Sequence, residues 1–261
     1  MSGPVQFSAN LGFLWTDREL PAAVHAAADA GFSLIELHQP FHVPAIELAT
    51  KVNDLGLQVM SLNTGVGDAD RGELGLAAVP GREVDARALL DEAIDYAAVI
   101  GSKFVSVVVG RTGRTEAAEL TLRANLAYGA DKAKTAGIGL LLEPLNTTIA
   151  DDLHLVHVAD AVQTIKAVGA DNIFIMADTF HVMTMEGSLD IVADCLDDVG
   201  HIQISGWPDR GEPDHGIDFL TWLPALRAAG YQGAFGAEYQ PRGTTDDGLG
   251  WLEPWNQGGS R

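Results

Sequence analysis

One phrase repeats along the chain: an apolar stripe at helical spacing ends at a glycine, and a short, nearly continuous apolar run follows. The glycines are Gly31 before "FSLIELH", Gly56 before "LQVMSLN", Gly101 before "SKFVSVVVG", Gly137 before "IGLLLE", Gly169 before "ADNIFIMAD", Gly200 before "HIQIS" and Gly230 before "YQGAFGAEY". A glycine just past a helix end supplies the left-handed backbone that closes the last turn. With "VQFSANLG" at the start, the pattern predicts eight strands and seven helix-to-strand joints.

The stretches between the strands have the helical period. In "VDARALLDEAIDYAAVIG", Leu89, Leu90, Ala93, Ile94, Ala97 and Ile100 share a face, while Asp85, Asp91, Glu92 and Asp95 lie mostly elsewhere. In "LTWLPALRAAG", Leu220, Leu223, Leu226 and Ala229 form a stripe. Strand runs that are apolar throughout, rather than alternating, fit a sheet covered on both faces. Alternating strand and helix predict a parallel sheet, and eight such units in 261 residues predict a single (β/α)8 TIM barrel. The expected domain spans residues 1–261, with a C-terminal tail from about 248. An open doubly wound sheet is the alternative, weakened because no Gly-rich phosphate fingerprint follows the first strand. The longest irregular stretch, residues 63–83, lies between the third strand and its helix, and loops of that length are usually functional or disordered. Trp251 and Trp255, in the tail, either close the barrel or form the contact of a homo-oligomer.

Charge narrows the partners. With 16 Lys and Arg against 36 Asp and Glu, the formal charge is −20. That excludes nucleic acid and anionic membranes, which need a basic face. It leaves room for an anionic small molecule held by one or two cations. The single cysteine, Cys195, forbids an intrachain disulfide and reads as an inert helix residue. Neither a basic leader nor an apolar run approaching about 18 residues is present, so a soluble, cytoplasmic protein is expected.

In a parallel barrel, chemistry belongs where strands end and βα loops begin. Those ends carry Asn10, Glu36 with His38, and Asn63; then Glu143, Asp178, Gln203 and Glu238 on the fifth to eighth strands. Three acids brought together in a low dielectric are costly unless a cation resolves the conflict. An oxygen-rich set favours Mg²⁺ or Mn²⁺ over Zn²⁺. His181 follows Asp178 at i+3 and reaches the same mouth, whereas His201 sits one layer deeper. His154 and His157 read as surface residues, and His215 carries little signal. Arg210, seven residues past Gln203, suits a substrate carboxylate. Arg71, Arg82, Arg111 and Arg242 read as structural, and Glu36 is open between a structural and a functional role.

With "FSANLGFLW", "RGELGLAAVPGRE", "LLLEPLN", "ADTFHVMTMEGSL", "GHIQISGWPDRGEPDHGID", "GAEYQP" and "GTTDDGLGWL", the chain resembles the hydroxypyruvate isomerase family of xylose-isomerase-like barrels. The resemblance implies an isomerase of the aldose–ketose type acting on a small hydroxy-oxo acid. It would interconvert hydroxypyruvate and tartronate semialdehyde through a metal-stabilised enediolate. Glu143 and Glu238 would be the acid/base pair and, with Asp178 and Gln203, the ligands of Mg²⁺ or Mn²⁺; His181 and Arg210 would contact substrate. Two segments at the mouth depart from the family: "TTIADDLHLVHVADAV" after "EPLN", and Phe180 with Met183–Thr184 after Asp178. They bear on substrate rather than on reaction type. A ketose 3-epimerase or 2-oxo-tetronate isomerase on the same site, or a non-catalytic sugar-acid-binding barrel, are the alternatives.

Overall fold

Parallel strands close in chain order in the computed structural model, which describes residues 5–256. They are β1 (Phe7–Asn10), β2 (Leu34–Leu37), β3 (Gln58–Asn63), β4 (Phe104–Ser106), β5 (Gly139–Leu142), β6 (Ile173–Asp178), β7 (Val199–Ile204) and β8 (Phe235–Ala237). The last pairs with the first, Phe7 opposite Phe235 and Ala9 opposite Ala237, so no sheet edge is left open. Around them lie α1 (Leu20–Asp29), α2 (Ala45–Asp54), α3 (Glu83–Ile100), α4 (Glu116–Thr135), α5 (Val158–Val168), α6 (Thr179–Glu186), α7 (Asp190–Asp194), α8 (Phe219–Ala228) and α9 (Glu253–Asn256). This is the (β/α)8 barrel that the repeating pattern predicts. Among the described residues, no helix is long and apolar enough to cross a membrane.

The strand period of two sorts the residues. Outward side chains meet the helices in one large core, while Leu34, Met60, Phe104, Leu141, Met176 and Ala234 form a separate buried cluster. Two positions further along β2, β5 and β6 the same face carries Glu36, Glu143 and Asp178. The barrel interior therefore changes from apolar to acidic along the strand direction. Burying each large apolar side chain contributes about 1.5–3 kcal/mol, and that lower cluster supports the costly layer above it.

Several elements differ from the sequence pattern, each for a local reason. The fourth strand, expected over 102–110, stops at Ser106, because Val109 turns aside to bridge Gly75 of the 63–83 segment. That segment is ordered against it: Ala78 N–H donates to Val109 O at 2.8 Å, and Leu76, Ala77 and Ala78 are buried. Gly200 is no helix cap. It is the extra residue of β7 where the register to β6 shifts, and a Cβ there would lie 2.7 Å from Phe174 Cβ. The buried stripe of α8 is Phe219, Leu223 and Leu226; Leu220 is 58% exposed, so that stripe is offset from the expected one. Cys195 is half-buried just past the five-residue α7. In the tail, Trp251 and Trp255 both set their ring edges against Phe7, at 4.9 and 5.5 Å between centroids, covering β1 from outside. Residues 257–261 of the expected tail lie outside the described residues.

Candidate active site

Beyond the ends of β5, β7 and β8, a cavity of about 280 Å³ opens, bordered by Glu143, Glu238, His181, Arg210, His38 and Asn63. Asp178 and Gln203 are buried, 1% and 2% exposed, and do not border it; Asp178 touches its wall through Arg210 and His181. Each acid ends a strand whose neighbouring positions are fixed by the ladder, which is why residues far apart in sequence converge here.

Asp178 does two jobs with its two oxygens. Oδ1 accepts from Phe180 N–H at 2.8 Å and caps α6, while Oδ2 accepts from Arg210 Nη2 at 2.7 Å. The same Nη2 donates to Glu238 Oε1 at 2.6 Å, and Asn10 Nδ2 donates to Glu238 Oε2 at 2.7 Å. Burial, followed by the charges of Glu143 and Asp178, pushes the Glu238 carboxyl well up even though Arg210 opposes the shift. Glu143 is pushed up to about 8, first by burial and then by the Asp178 charge. Its Oε1 is buried without a hydrogen-bond partner, and so is Gln203 Oε1.

His181 has a defined tautomer. Asn146 N–H donates to Nδ1 at 3.2 Å, with Asn146 Nδ2 2.8 Å away, so Nδ1 accepts and the proton of the neutral ring sits on Nε2. Burial lowers the ring's pKa to about 4, which keeps it neutral. Nε2 faces Asp178 Oδ2 at 3.5 Å and Glu143 Oε1 at 3.7 Å. Burial likewise lowers the pKa of His38, on the opposite wall. The sequence pattern marks His38 only as a strand-end residue beside Glu36, and Asn146, the last residue of "EPLN", does not stand out in it.

Glu36, by contrast, is fully partnered. It accepts from Ser8 Oγ at 2.5 Å, Gln203 Nε2 at 2.7 Å and Asn10 Nδ2 at 3.5 Å, and His201 Nε2 lies 2.9 Å away. Burial alone would raise its pKa, but the nearby His201 and the hydrogen bonds from Ser8 and Gln203 outweigh it and hold the carboxyl below its ordinary value. Gly236 makes the room: a Cβ there would sit 2.1 Å from Glu36 Oε1. Because Glu36 takes the amide N–H of Gln203, the amide oxygen is left free on the other side.

Other charged residues of the βα loops do not border the cavity. Arg71 pairs with Asp68, Arg82 with Glu73 and Asp85, Arg111 with Asp152, and Arg242 with Glu212 and Asp214. His215 sits between Asp209 and Asp214, 2.8 Å from each. His157 is a half-exposed partner of Glu186, but His154 is not on the surface: its side chain is 5% exposed, between Glu119 at 3.0 Å and Thr112 at 2.8 Å. A helix-spaced polar stretch gave no sign of it, since its partners come from α4 and the preceding loop.

The ligand atoms of Glu143, Asp178 and His181 lie within 4.8 Å of one another, close enough to hold a metal ion. The proton on His181 Nε2 argues for the oxygens instead. The buried, unpartnered Glu143 oxygen with Asp178 beside it suits a hard divalent cation, and Gln203 Oε1 is a second buried oxygen without a partner.

A closed barrel with acids at the strand ends is matched by the family model for the xylose isomerase-like TIM barrel over residues 24–255, and the chain belongs to that family. Its relatives narrow the class to the hydroxypyruvate isomerase group. The 2-oxo-tetronate isomerase of Pectobacterium atrosepticum is 38% identical over 255 residues, covering 96% of this chain and 97% of that protein. The hydroxypyruvate isomerase of Escherichia coli is 34% identical over 256 residues, covering 96% and 99%. A crystal structure described as an AP endonuclease, family 2, from Brucella melitensis superposes with a TM-score of 0.92 at 33% identity, covering 96% of this chain and 98% of that one. The chain is an isomerase.

Proposed function

We propose that the protein isomerises a small 2-oxo-hydroxy acid, moving a carbonyl by one carbon between hydroxypyruvate and tartronate semialdehyde. The observation that carries this is the pair Glu143 and Glu238, both held towards the protonated form, facing one cavity that also presents the Arg210 guanidinium. The reaction takes a proton from the hydroxyl-bearing carbon of hydroxypyruvate and returns one to the neighbouring carbon, while a hydroxyl proton passes to the former carbonyl oxygen. One of the two glutamates, ionised, removes the first proton; the other, in its acid form, delivers the second. His181 Nε2–H donates to a substrate oxygen, and Arg210 binds the carboxylate.

Glu143, Asp178, Gln203 and Glu238 would hold Mg²⁺ or Mn²⁺, which when bound would supply Lewis-acid stabilisation of negative charge on the substrate oxygens. A four-carbon 2-oxo acid is the second reading, supported by the 38% identity to a 2-oxo-tetronate isomerase. Fold likeness alone supports the ketose 3-epimerase alternative: the L-ribulose 3-epimerase structure aligns at 24% identity with a TM-score of 0.75.

Proton NMR in D₂O tests the reading. With Mn²⁺ or Mg²⁺ present, solvent deuterium should enter carbon-bound positions of hydroxypyruvate or of a 2-oxo-tetronate, and the faster-labelled compound identifies the substrate. Glu143→Gln and Glu238→Gln should each slow turnover by roughly 10²–10⁴-fold. Near-full activity in either variant removes the two-glutamate mechanism, and binding without exchange points to a sugar-acid-binding barrel.

A further inference from the structure

Arg210 does more here than wait for a substrate. Its Nη2 bridges Asp178 Oδ2 and Glu238 Oε1 at 2.7 and 2.6 Å, and those oxygens belong to the set that would hold the cation. The guanidinium lies between two aromatic faces, 4.6 Å from the Phe13 centroid and 5.1 Å from that of Phe180. Its backbone is anchored, with the carbonyl accepting from Gln240 N–H at 2.7 Å and φ at +57°, in the left-handed region. Nε is buried with no hydrogen-bond partner, so the fork is satisfied only at its tip. Cation–π attraction tolerates small shifts of the guanidinium, and the hydrogen bonds of its tip go to the two carboxylates.

We propose that Arg210 is the specificity-determining residue of the site because it competes with the divalent cation for Asp178 and Glu238. In this arrangement a positive charge already occupies the position between these acids. A cation arriving at the same oxygens displaces the guanidinium, and a substrate carboxylate within the cavity gives it a new partner. Metal and carboxylate therefore bind cooperatively, each strengthening the other by the same factor. A neutral sugar offers Arg210 no such partner and leaves the cation to compete unaided, so the site selects acids. This inference rests on the divalent-metal reading above.

The test is a Mn²⁺ titration of the metal-stripped protein, with free Mn²⁺ read by electron paramagnetic resonance. Arg210→Met should bind Mn²⁺ roughly 10–100-fold more tightly than the wild type, about 1.4–2.7 kcal/mol, because the competing guanidinium is gone. In the wild type, saturating pyruvate, which carries the carboxylate but not the hydroxyl, should tighten Mn²⁺ binding about tenfold more than dihydroxyacetone does; in Arg210→Met that excess should vanish. The wild-type comparison needs no variant, so it decides the matter even if Arg210→Met fails to fold. Equal Mn²⁺ affinity in both proteins, or an equal effect of the two ligands on the wild type, overturns the competition while leaving the metal site standing. No Mn²⁺ binding by either protein overturns both.

Discussion

Glu143 gives the sharpest prediction, because its side chain is only 15% exposed and its carboxyl is raised from 4.5 to about 8. In the metal-free folded protein it stays protonated up to about pH 8, whereas in the unfolded chain it ionises near its ordinary value. The stability tied to that proton is therefore full below about pH 4.5 and is lost as the pH rises through 8. At about 1.36 kcal/mol per pH unit, and with the shift shared with Glu238, the loss is roughly 3–5 kcal/mol. Glu143→Gln has nothing to ionise and escapes it. In urea unfolding with excess EDTA, the variant should gain on the wild type steadily between pH 5 and 8 and lead by roughly 3–5 kcal/mol at pH 8.5. Mn²⁺ at about 100 times its Kd should narrow that lead by about 2.7 kcal/mol, since the metal stabilises the wild type by that amount and the variant has lost a ligand oxygen. A difference that stays flat from pH 5 to 8.5 would refute the claim that burial holds this carboxyl neutral.

Three further outcomes follow from the same geometry. Glu36→Gln brings in an amide that no longer compels Gln203 to turn its oxygen towards the acids, so Mn²⁺ affinity measured by calorimetry should fall about 10–100-fold; unchanged affinity would make Glu36 purely structural. Gly236→Ala drives a methyl to within 2.1 Å of Glu36 Oε1 and should cost roughly 1–3 kcal/mol in urea unfolding, with a matching loss of metal affinity. His154→Ala leaves Glu119 and Thr112 without their shared partner and should cost roughly 1–3 kcal/mol while leaving kcat near wild type; a large fall in kcat would place that pair in the catalytic machinery.

The barrel was legible because strand length, helix period and glycine punctuation each report a local rule. Gly101 and Gly169 take φ of +69° and +73° just past α3 and α5, as the pattern requires. The acids were legible too, since a carboxylate after an apolar run is a local oddity. What the sequence could not carry were relations across the barrel. Gly200 reads as a cap until Phe174 and Leu141, from other strands, turn out to fill the space its missing side chain leaves. His154 reads as surface until α4 supplies Glu119. Arg210 stood out as a rare cation, but its bridge between Asp178 and Glu238 depends on three separate βα junctions meeting at one point.

Glu36 and Glu143 are the same residue type, each two positions above the apolar cluster inside the barrel, and their environments push them in opposite directions. Glu36 is given Ser8, Gln203, Asn10 and His201, so its charge is held permanently and can only orient what surrounds it. Glu143 is given burial and a neighbouring Asp178, with one oxygen unpartnered, so its proton is held near the point where it can be exchanged. A carboxylate with a depressed pKa makes a poorer proton carrier than one poised within the working range. On the proposed mechanism, the balance of burial against hydrogen-bond donors would therefore separate scaffold from chemistry within this group of buried acids. On that balance Glu238, whose pKa is raised despite contacts from Arg210 and Asn10, sides with Glu143, and Glu36 does not.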